Sequence, residues 1–290
     1  MRERLAQLDA LVPYLIVFST SACTLILEIV AGRILAPVIG VSLYTWTSII
    51  GVVLAGISAG NYLGGLTADR FPSRRTLGLI LVAGGIFTVI ILPLIQTVAE
   101  EFIPLPIILR IVLLTAVLFL PVSLILGMVT PVVIKLHLRE LAKTGNVVGR
   151  FYAVSTAGSI LGVFLTGFVF IQWIGTRPIV LAVAIFLFAL ALLFGDLWKM
   201  RFKIPALLSV GVIAAAASLS FTQGWVDSNC QKDSNYFCIK VREREISGHR
   251  VRTLALDQLL HSYVAMDDPT FLVYGYEKVT ADFVALQHDR

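Results

Sequence analysis

The sequence predicts an α-helical multi-pass membrane bundle of about seven transmembrane helices, followed by a small α+β subdomain of three antiparallel strands and one helix. Three observations predict it. Of the 290 residues, 58% are hydrophobic and only 14% charged, outside the range of soluble domains. The apolar residues fall into runs long enough to cross a bilayer, since a helix rising 1.5 Å per residue needs about 20 residues to span about 30 Å of hydrocarbon. Charge gathers at the end of the chain: about 23 charged residues, roughly 10%, precede Val226, and about 18, roughly 28%, follow in the last 65. A domain boundary is therefore expected near Gly224-Trp225, giving a transmembrane domain over 1–225 and a polar tail over 226–290.

The expected spans are Leu11–Ala31, Leu43–Gly65, Leu77–Val98, Leu105–Ile134, Val147–Ile171, Pro178–Gly195 and Ile204–Phe221. The first follows basic residues as a signal peptide does, but it is long and no small-x-small cleavage site precedes the second span, so it is expected to stay as an anchor. Basic residues set the orientation, because short cytoplasmic loops retain them. Arg2, Arg4, Arg70, Arg74, Arg75, Lys135, Arg139, Lys143, Arg150, Lys199, Arg201 and Lys203 fall on one side, and only Arg33, Arg110 and Arg177 on or near the other. This places the amino terminus in the cytoplasm of a cell (inner) membrane protein, and seven crossings place the tail outside; if Ile204–Phe221 does not cross, the tail is cytoplasmic.

Within the spans, Gly56, Gly60 and Gly64 recur every four residues, as do Gly158 and Gly162. Such faces let backbones approach closely; helix packing is the plainer reading and a substrate path the sharper one. Glu28 carries more information, because a carboxylate inside a span costs about 3 kcal/mol or more unless paired, protonated or hydrated. Arg33 at the helix end and Asn61 on the second span are its candidate partners. A structural ion pair and a proton or cation site facing a cavity are both open readings.

The net charge of +5 comes from short loops and forms no basic stripe with interleaved aromatics, so a nucleic-acid partner is not expected. Three cysteines are too few for a disulfide scaffold or a zinc site. Cys23 reads as a small packing residue in an apolar run. Cys230 and Cys238 can bridge only if the intervening segment folds back on itself, and two separate thiols are the alternative.

From Ser234 the tail alternates with period two: Phe237, Ile239 and Val241 on one face, Cys238, Lys240 and Arg242 on the other. Ser247-Gly248-His249 reads as a turn, and Val251, Thr253 and Ala255 alternate with Arg252, Leu254 and Leu256 in a second strand, making a hairpin. "LLHSYV" follows as a third, shorter strand. Asp268-Pro269 is the expected helix start, with Asp as cap and Pro at the first helical position. Leu272, Tyr276, Val279, Phe283 and Leu286 then form a stripe that faces a core. So small a unit buries little surface and should lean on something else.

Two stretches carry resemblances. "GGLTADRFPSRRTLG", Gly64–Gly78, resembles the loop joining the second and third spans of major facilitator transporters, which runs as Gly, three residues, Asp-Arg and a basic pair. Gly65, Asp69, Arg70, Arg74 and Arg75 match, while Pro72-Ser73 replaces the usual single glycine. "SNYFCIKV", "VRTLALDQLLHSYV" and "DDPTFLVYGYE" resemble the amino-terminal strand domain of spermidine synthases, with its Ser-x-Tyr-Gln strand, Leu-Asp-Gly turn and Asp-Glu-x-x-Tyr-His helix start in this order. The combination is similar to the membrane-fused branch of that family. Ser234, Tyr236, Leu256, Asp257 and Tyr274 match; Phe237, Gln258, His261 and Gly275 stand where the family has Gln, Gly, Gln and His.

The resemblance implies aminopropyl transfer from decarboxylated S-adenosylmethionine, as co-substrate of the complete protein, to a polyamine. It sets the matching Tyr236, Asp257 and Tyr274 at the border of the substrate pocket, with His261 and Tyr263 as candidates for new polar contacts there. Tyr236 and Tyr274 as core aromatics with a wet hydroxyl, and Asp257 as a turn residue, are the plainer readings. No Gly-rich strand-to-helix turn follows Val264, so the catalytic base and nucleotide cradle are not expected within these 290 residues, and the chain alone is expected to be inactive. The alternative is a facilitator-like transporter or scaffold module with a degenerate synthase tail. Six facilitator-type spans are half of the usual twelve, so transport would call for a homodimer.

Overall fold

The structure is a computed structural model that describes residues 2–101, 104–138, 144–197 and 230–288 other than 235, with scattered positions between 207 and 218. The chain divides into two compact units, Met1–Leu35 with Val41–Asp227, and Ala36–Gly40 with Ser228–Arg290.

In the first unit, six helices are long and apolar enough to cross a membrane: Leu11–Ile39, Leu43–Arg70, Arg74–Val98, Ile107–His137, Thr144–Trp173 and Thr176–Phe194. They coincide with the first six expected spans. The seventh, Ile204–Phe221, lies outside the described residues apart from scattered positions, as does the expected boundary at Gly224-Trp225. Helix α1 (Arg2–Ile39) runs past Ala31, through Gly32 and Pro37, to Gly40, whose φ of 77° ends it. Ser42 caps α2 (Leu43–Arg70), its hydroxyl accepting from the Thr45 N–H at 3.2 Å. Ser73 does the same for α3 (Arg74–Glu101) through the Thr76 N–H at 3.1 Å.

The fourth span is two helices, α4 (Ile107–Gly127) and α5 (Val129–His137), meeting at Met128. Pro131 accounts for the break, since it has no N–H to donate to the Gly127 carbonyl four residues back and its ring crowds that carbonyl. The fifth begins as α6 (Thr144–Leu165), widens into a π-helical turn at Thr166–Phe170 and closes as α7 (Ile171–Trp173). Gly175, at φ 85°, then turns the chain into α8 (Thr176–Phe194).

The glycine faces pack helices. A Cβ on Gly60 would lie against the Leu124 carbonyl group, 2.9 Å from its carbon, and 3.0 Å from Gly127 Cα. Gly64 would meet Met128 Cα at 2.6 Å. On the other pair, Gly158 and Gly162 lie on the backbone of α1 at Phe18 and Ala22. Absent side chains thus bring α2 onto α4–α5 and α6 onto α1, as expected where dispersion rather than hydrophobicity drives association.

In the second unit a four-stranded antiparallel sheet has the order β1-β2-β3-β4: β1 (Lys232–Asp233), β2 (Cys238–Ile246), β3 (His249–Leu256) and β4 (Leu259–Ala265). The three expected strands are present, joined by a two-residue β1. The β2–β3 turn is Ser247-Gly248, with φ of 54° and 83°, a two-residue hairpin turn of the kind that matches strand twist. Across it, Glu243 sits opposite Arg252, and their side chains pair at 2.5 Å.

Of the two faces that the alternation separates, the one with Cys238 turns inward at the start of β2: Cys238 is buried and Phe237 exposed. The register sets Arg242 beside Thr253 and Arg244 beside Val251, and both arginines stay exposed. The other core residues on this face come from β3 and β4, Val251, Thr253 and Ala265. The last helix, α9, spans Gly275–His288 rather than starting at Asp268-Pro269. Asp268 instead makes a local turn, its Oδ1 accepting from the Thr270 N–H at 2.9 Å and from the Thr270 hydroxyl. The helix opens at Tyr274, whose N–H donates to Glu277 at 3.3 Å, half of a capping box. Its stripe does not face a core among the described residues: Tyr276, Val279, Phe283 and Leu286 are 56% to 67% exposed.

Candidate functional site

Among the helices, polar side chains converge on a cavity of about 150 Å³ bounded by α1, α2, α4–α5 and α6. From α1 come Ser21 and Thr24, from α2 Asn61, from α5 Thr130, and from α6 Tyr152, Ser155 and Ser159. The cavity lies between the two glycine-packed pairs, α1 with α6 and α2 with α4–α5. Ser21 and Ser155 share a hydrogen bond of 2.8 Å across it. Thr24 donates its hydroxyl to the Thr20 carbonyl at 2.9 Å, the usual way a hydroxyl is satisfied inside a span. Glu28 is four residues beyond Thr24 and seven beyond Ser21, so it continues the same stripe of α1, about 6 Å along the axis from Thr24.

Of the three expected intramembrane polar residues, Asn61 lines this cavity and Glu28 stands on the stripe leading from it. No hydrogen bond or ion pair joins Glu28 to Arg33 or Asn61 among the described residues. The hydroxyls of α1 and α6 were not singled out from the sequence. Their signal is the spacing of Tyr152, Ser155 and Ser159 at three and four residues, a helical face, and the three-residue step from Ser21 to Thr24.

At the α2–α3 loop, Asp69 pairs with Lys135 of α5 at 2.6 Å, both side chains well exposed. Arg70 lies over the Phe71 ring, 5.5 Å from its centroid. Arg74 faces His137 across a small crevice with Leu77 and Val133, and Arg75 also has a partner. Gly65 has nothing within 4 Å of where its Cβ would be, so the packing demand falls on Gly64.

In the tail, the residues of interest gather at one end of the sheet, where β2 begins and β3 ends. Ser234 closes a turn there, its hydroxyl accepting from the Phe237 N–H at 2.9 Å. Asp257, at φ 55°, is buried, and its Oδ1 accepts from the Cys238 N–H at 2.9 Å while its own N–H donates to the Cys238 carbonyl. Tyr274 reaches the same end and donates its hydroxyl to the Leu260 carbonyl at 2.8 Å. Its ring meets Tyr263 edge-on, with centroids 4.6 Å apart. Loss of hydration, with Tyr263 and Tyr276 alongside, holds its phenol above the usual range. Tyr236 and His261 are exposed. Cys230 and Cys238 form a disulfide, their Cα atoms 5.3 Å apart. The fold-back that this requires is the β1–β2 pairing of Lys232 with Ile239 and Asp233 with Cys238.

No group of three or more metal-ligating side chains occurs among the described residues. In comparisons with family models, curated proteins and solved structures, nothing matches the chain.

Proposed function

We propose that this chain is the membrane domain and strand subdomain of a membrane-fused, spermidine synthase-like protein, which in its complete form transfers an aminopropyl group to a polyamine. One observation supports the reading: the residues of the resemblance, Ser234, Asp257 and Tyr274, lie at one end of the sheet, bonded to the Phe237, Cys238 and Leu260 backbone respectively. In this reading the co-substrate, decarboxylated S-adenosylmethionine, binds chain outside these residues, where a glycine-rich turn cradles the nucleotide and an acidic residue follows. Transfer requires an uncharged amine aligned with the carbon beside the sulfonium. The strand end would border that acceptor through Tyr236, Asp257, His261, Tyr263 and Tyr274. The amino terminus is cytoplasmic, and the tail, with its disulfide, is extracytoplasmic, where such bonds persist.

The test is spermidine formation from radiolabelled decarboxylated S-adenosylmethionine and 1,4-diaminobutane by membranes from cells expressing the whole gene. Membrane-bound transfer, absent from the purified 290-residue chain, supports the reading. A gene product with no glycine-rich turn beyond residue 290 and no transfer refutes it. A second reading, a facilitator-like transport module acting as a homodimer, is favoured by the polar cavity among the helices.

A further inference from the structure

We infer that the crevice between the ends of α1, α3, α5 and α8 is a binding site for the headgroup phosphate of an anionic phospholipid, with Arg74 and His137 as its polar partners. The inference concerns the helices alone and does not depend on aminopropyl transfer by the tail.

The lining decides the sign of the ligand. Arg74, the first residue of α3, and His137, the last of α5, both line the crevice, and no carboxylate does among the described residues. Arg74 makes no hydrogen bond or ion pair among the described residues, so its guanidinium fork, which matches two phosphate oxygens at once, is open to a ligand. The His137 Nδ1 lies 3.0 Å from the Val133 carbonyl. That bond commits one ring nitrogen to its own helix and leaves Nε2, a second donor when the ring is protonated. A cation would meet the Arg74 charge with nothing to offset it. Lys135, the cation nearest His137 in the chain, is already paired with Asp69.

The depth of the crevice decides the source of the anion. Val12 stands at the start of the first span, Arg74 at the start of the third, His137 at the end of the fourth and Phe194 at the end of the sixth. Four spans thus reach the membrane boundary at this one place, on the side that the basic loops mark as cytoplasmic, where the leaflet is rich in anionic lipid. The remaining walls are apolar. Leu193 among them is 73% exposed, so the crevice opens onto the surface that the helices present to hydrocarbon. Its volume of about 210 Å³ equals roughly seven waters at about 30 Å³ each, room for a phosphate and the glycerol carbons beside it, with the acyl chains outside along Leu193. A free phosphate or a soluble phosphate ester gains nothing from those apolar walls, whereas a phospholipid does.

A basic surface without a built site would attract the same lipid through any of its arginines. Arg70, on the same loop, separates the two cases, because it lies over the Phe71 ring and does not line the crevice.

The experiment uses the whole 290-residue chain in mixed micelles of a non-ionic detergent, captured on scintillation beads, with radiolabelled dioleoyl phosphatidylglycerol as probe. Saturable binding is expected. Unlabelled phosphatidylglycerol should compete at least about tenfold better than dioleoyl phosphatidylcholine, whose choline cation offsets its phosphate, and millimolar inorganic phosphate should not displace the probe. Arg74→Gln should weaken binding by about tenfold to a hundredfold, the range for hydrogen bonds to a charged group. His137→Phe, which keeps a ring and removes both nitrogens, should weaken it about tenfold. Arg70→Gln should change it by no more than about fivefold, the effect of one surface cation. If either crevice variant does not purify as folded protein, the other decides the matter. Equal competition by the two lipids, displacement by inorganic phosphate, equal losses in Arg70→Gln and Arg74→Gln, or unchanged affinity in well-folded crevice variants would each overturn the inference.

Discussion

Replacing Gly60 by alanine tests the helix packing on which the cavity depends. The added methyl would lie 2.9 Å from the Leu124 carbonyl carbon, closer still to its oxygen, and 3.0 Å from Gly127 Cα. Ordinary contacts between carbon atoms lie at about 3.5–4.0 Å, so α2 and α4 must separate by roughly 1 Å along this seam. The obstacle is backbone, which cannot rotate away as a side chain can. Overpacking of this kind costs about 1–3 kcal/mol, against a gain of up to about 1 kcal/mol from alanine's higher helix propensity. A net loss of about 1–2 kcal/mol is expected. Gly65→Ala supplies the comparison, because nothing lies within 4 Å of its Cβ position, and it should be neutral or slightly stabilising. The assay is thermal unfolding of both variants in one detergent, followed by size-exclusion recovery. Equal stability of Gly60→Ala and Gly65→Ala would refute the packing argument.

Further outcomes follow from the tail. Asp257→Ala removes the buried acceptor of the Cys238 N–H and should cost about 1–3 kcal/mol, whereas Asp257→Asn, which tolerates the same backbone and keeps an oxygen, should cost less; urea unfolding monitored by circular dichroism distinguishes them. Opening the disulfide, which spans eight residues, should cost about 2.5 kcal/mol on the loop-entropy model, and alkylation with and without reductant, read by mass spectrometry, counts the thiols. The Arg252 hydrogen bond, then its charge, hold Glu243 below the usual carboxylate range. A depressed folded-state value means that the pair's contribution is present above the ordinary carboxylate range and is lost as pH falls through the folded value. Melting curves of the wild type should therefore decline toward those of Glu243→Gln only at acid pH; a constant gap would contradict this. Lys135→Ala breaks an exposed pair with Asp69 and should change stability by no more than about 1 kcal/mol.

The spans were legible because lipid imposes one simple rule, a long apolar stretch with its backbone satisfied internally. Six apolar helices compatible with a multi-pass membrane protein stand where hydropathy put them. Their ends were less legible, since α1 continues to Ile39 although Gly32 and Pro37 lie in the stretch. The close approach at Gly60 and Gly158 could be anticipated from spacing, but their partners, Leu124 and Phe18, lie far off in sequence. The cavity escaped notice for a physical reason. A serine or threonine in a span usually bonds its own helix, as Thr24 does, and only the meeting of four helices turns Ser21 and Ser155 toward one space.

In the tail the hairpin was legible from Ser247-Gly248 and from strict alternation in β3. Which face of β2 turns inward was not, because alternation separates the two faces without orienting them. What tethers Cys238, the Asp257 carboxylate and the disulfide, is set by tertiary pairing. The helix start was misplaced because Asp268-Pro269 has the composition of a cap, yet Thr270 captures the carboxylate first. Tyr274 with Glu277 three residues later was the competing signal.

The most direct measurement is single-cysteine labelling at the two ends of α2. Ser42→Cys and Ser73→Cys, each made separately and expressed in intact cells, are treated with a membrane-impermeant maleimide before and after permeabilisation. If α2 crosses the bilayer with the orientation proposed, Cys at 42 reacts in intact cells and Cys at 73 only once the membrane is opened. Labelling of both from the same side would contradict a helix that spans, and with it the bundle that encloses the cavity.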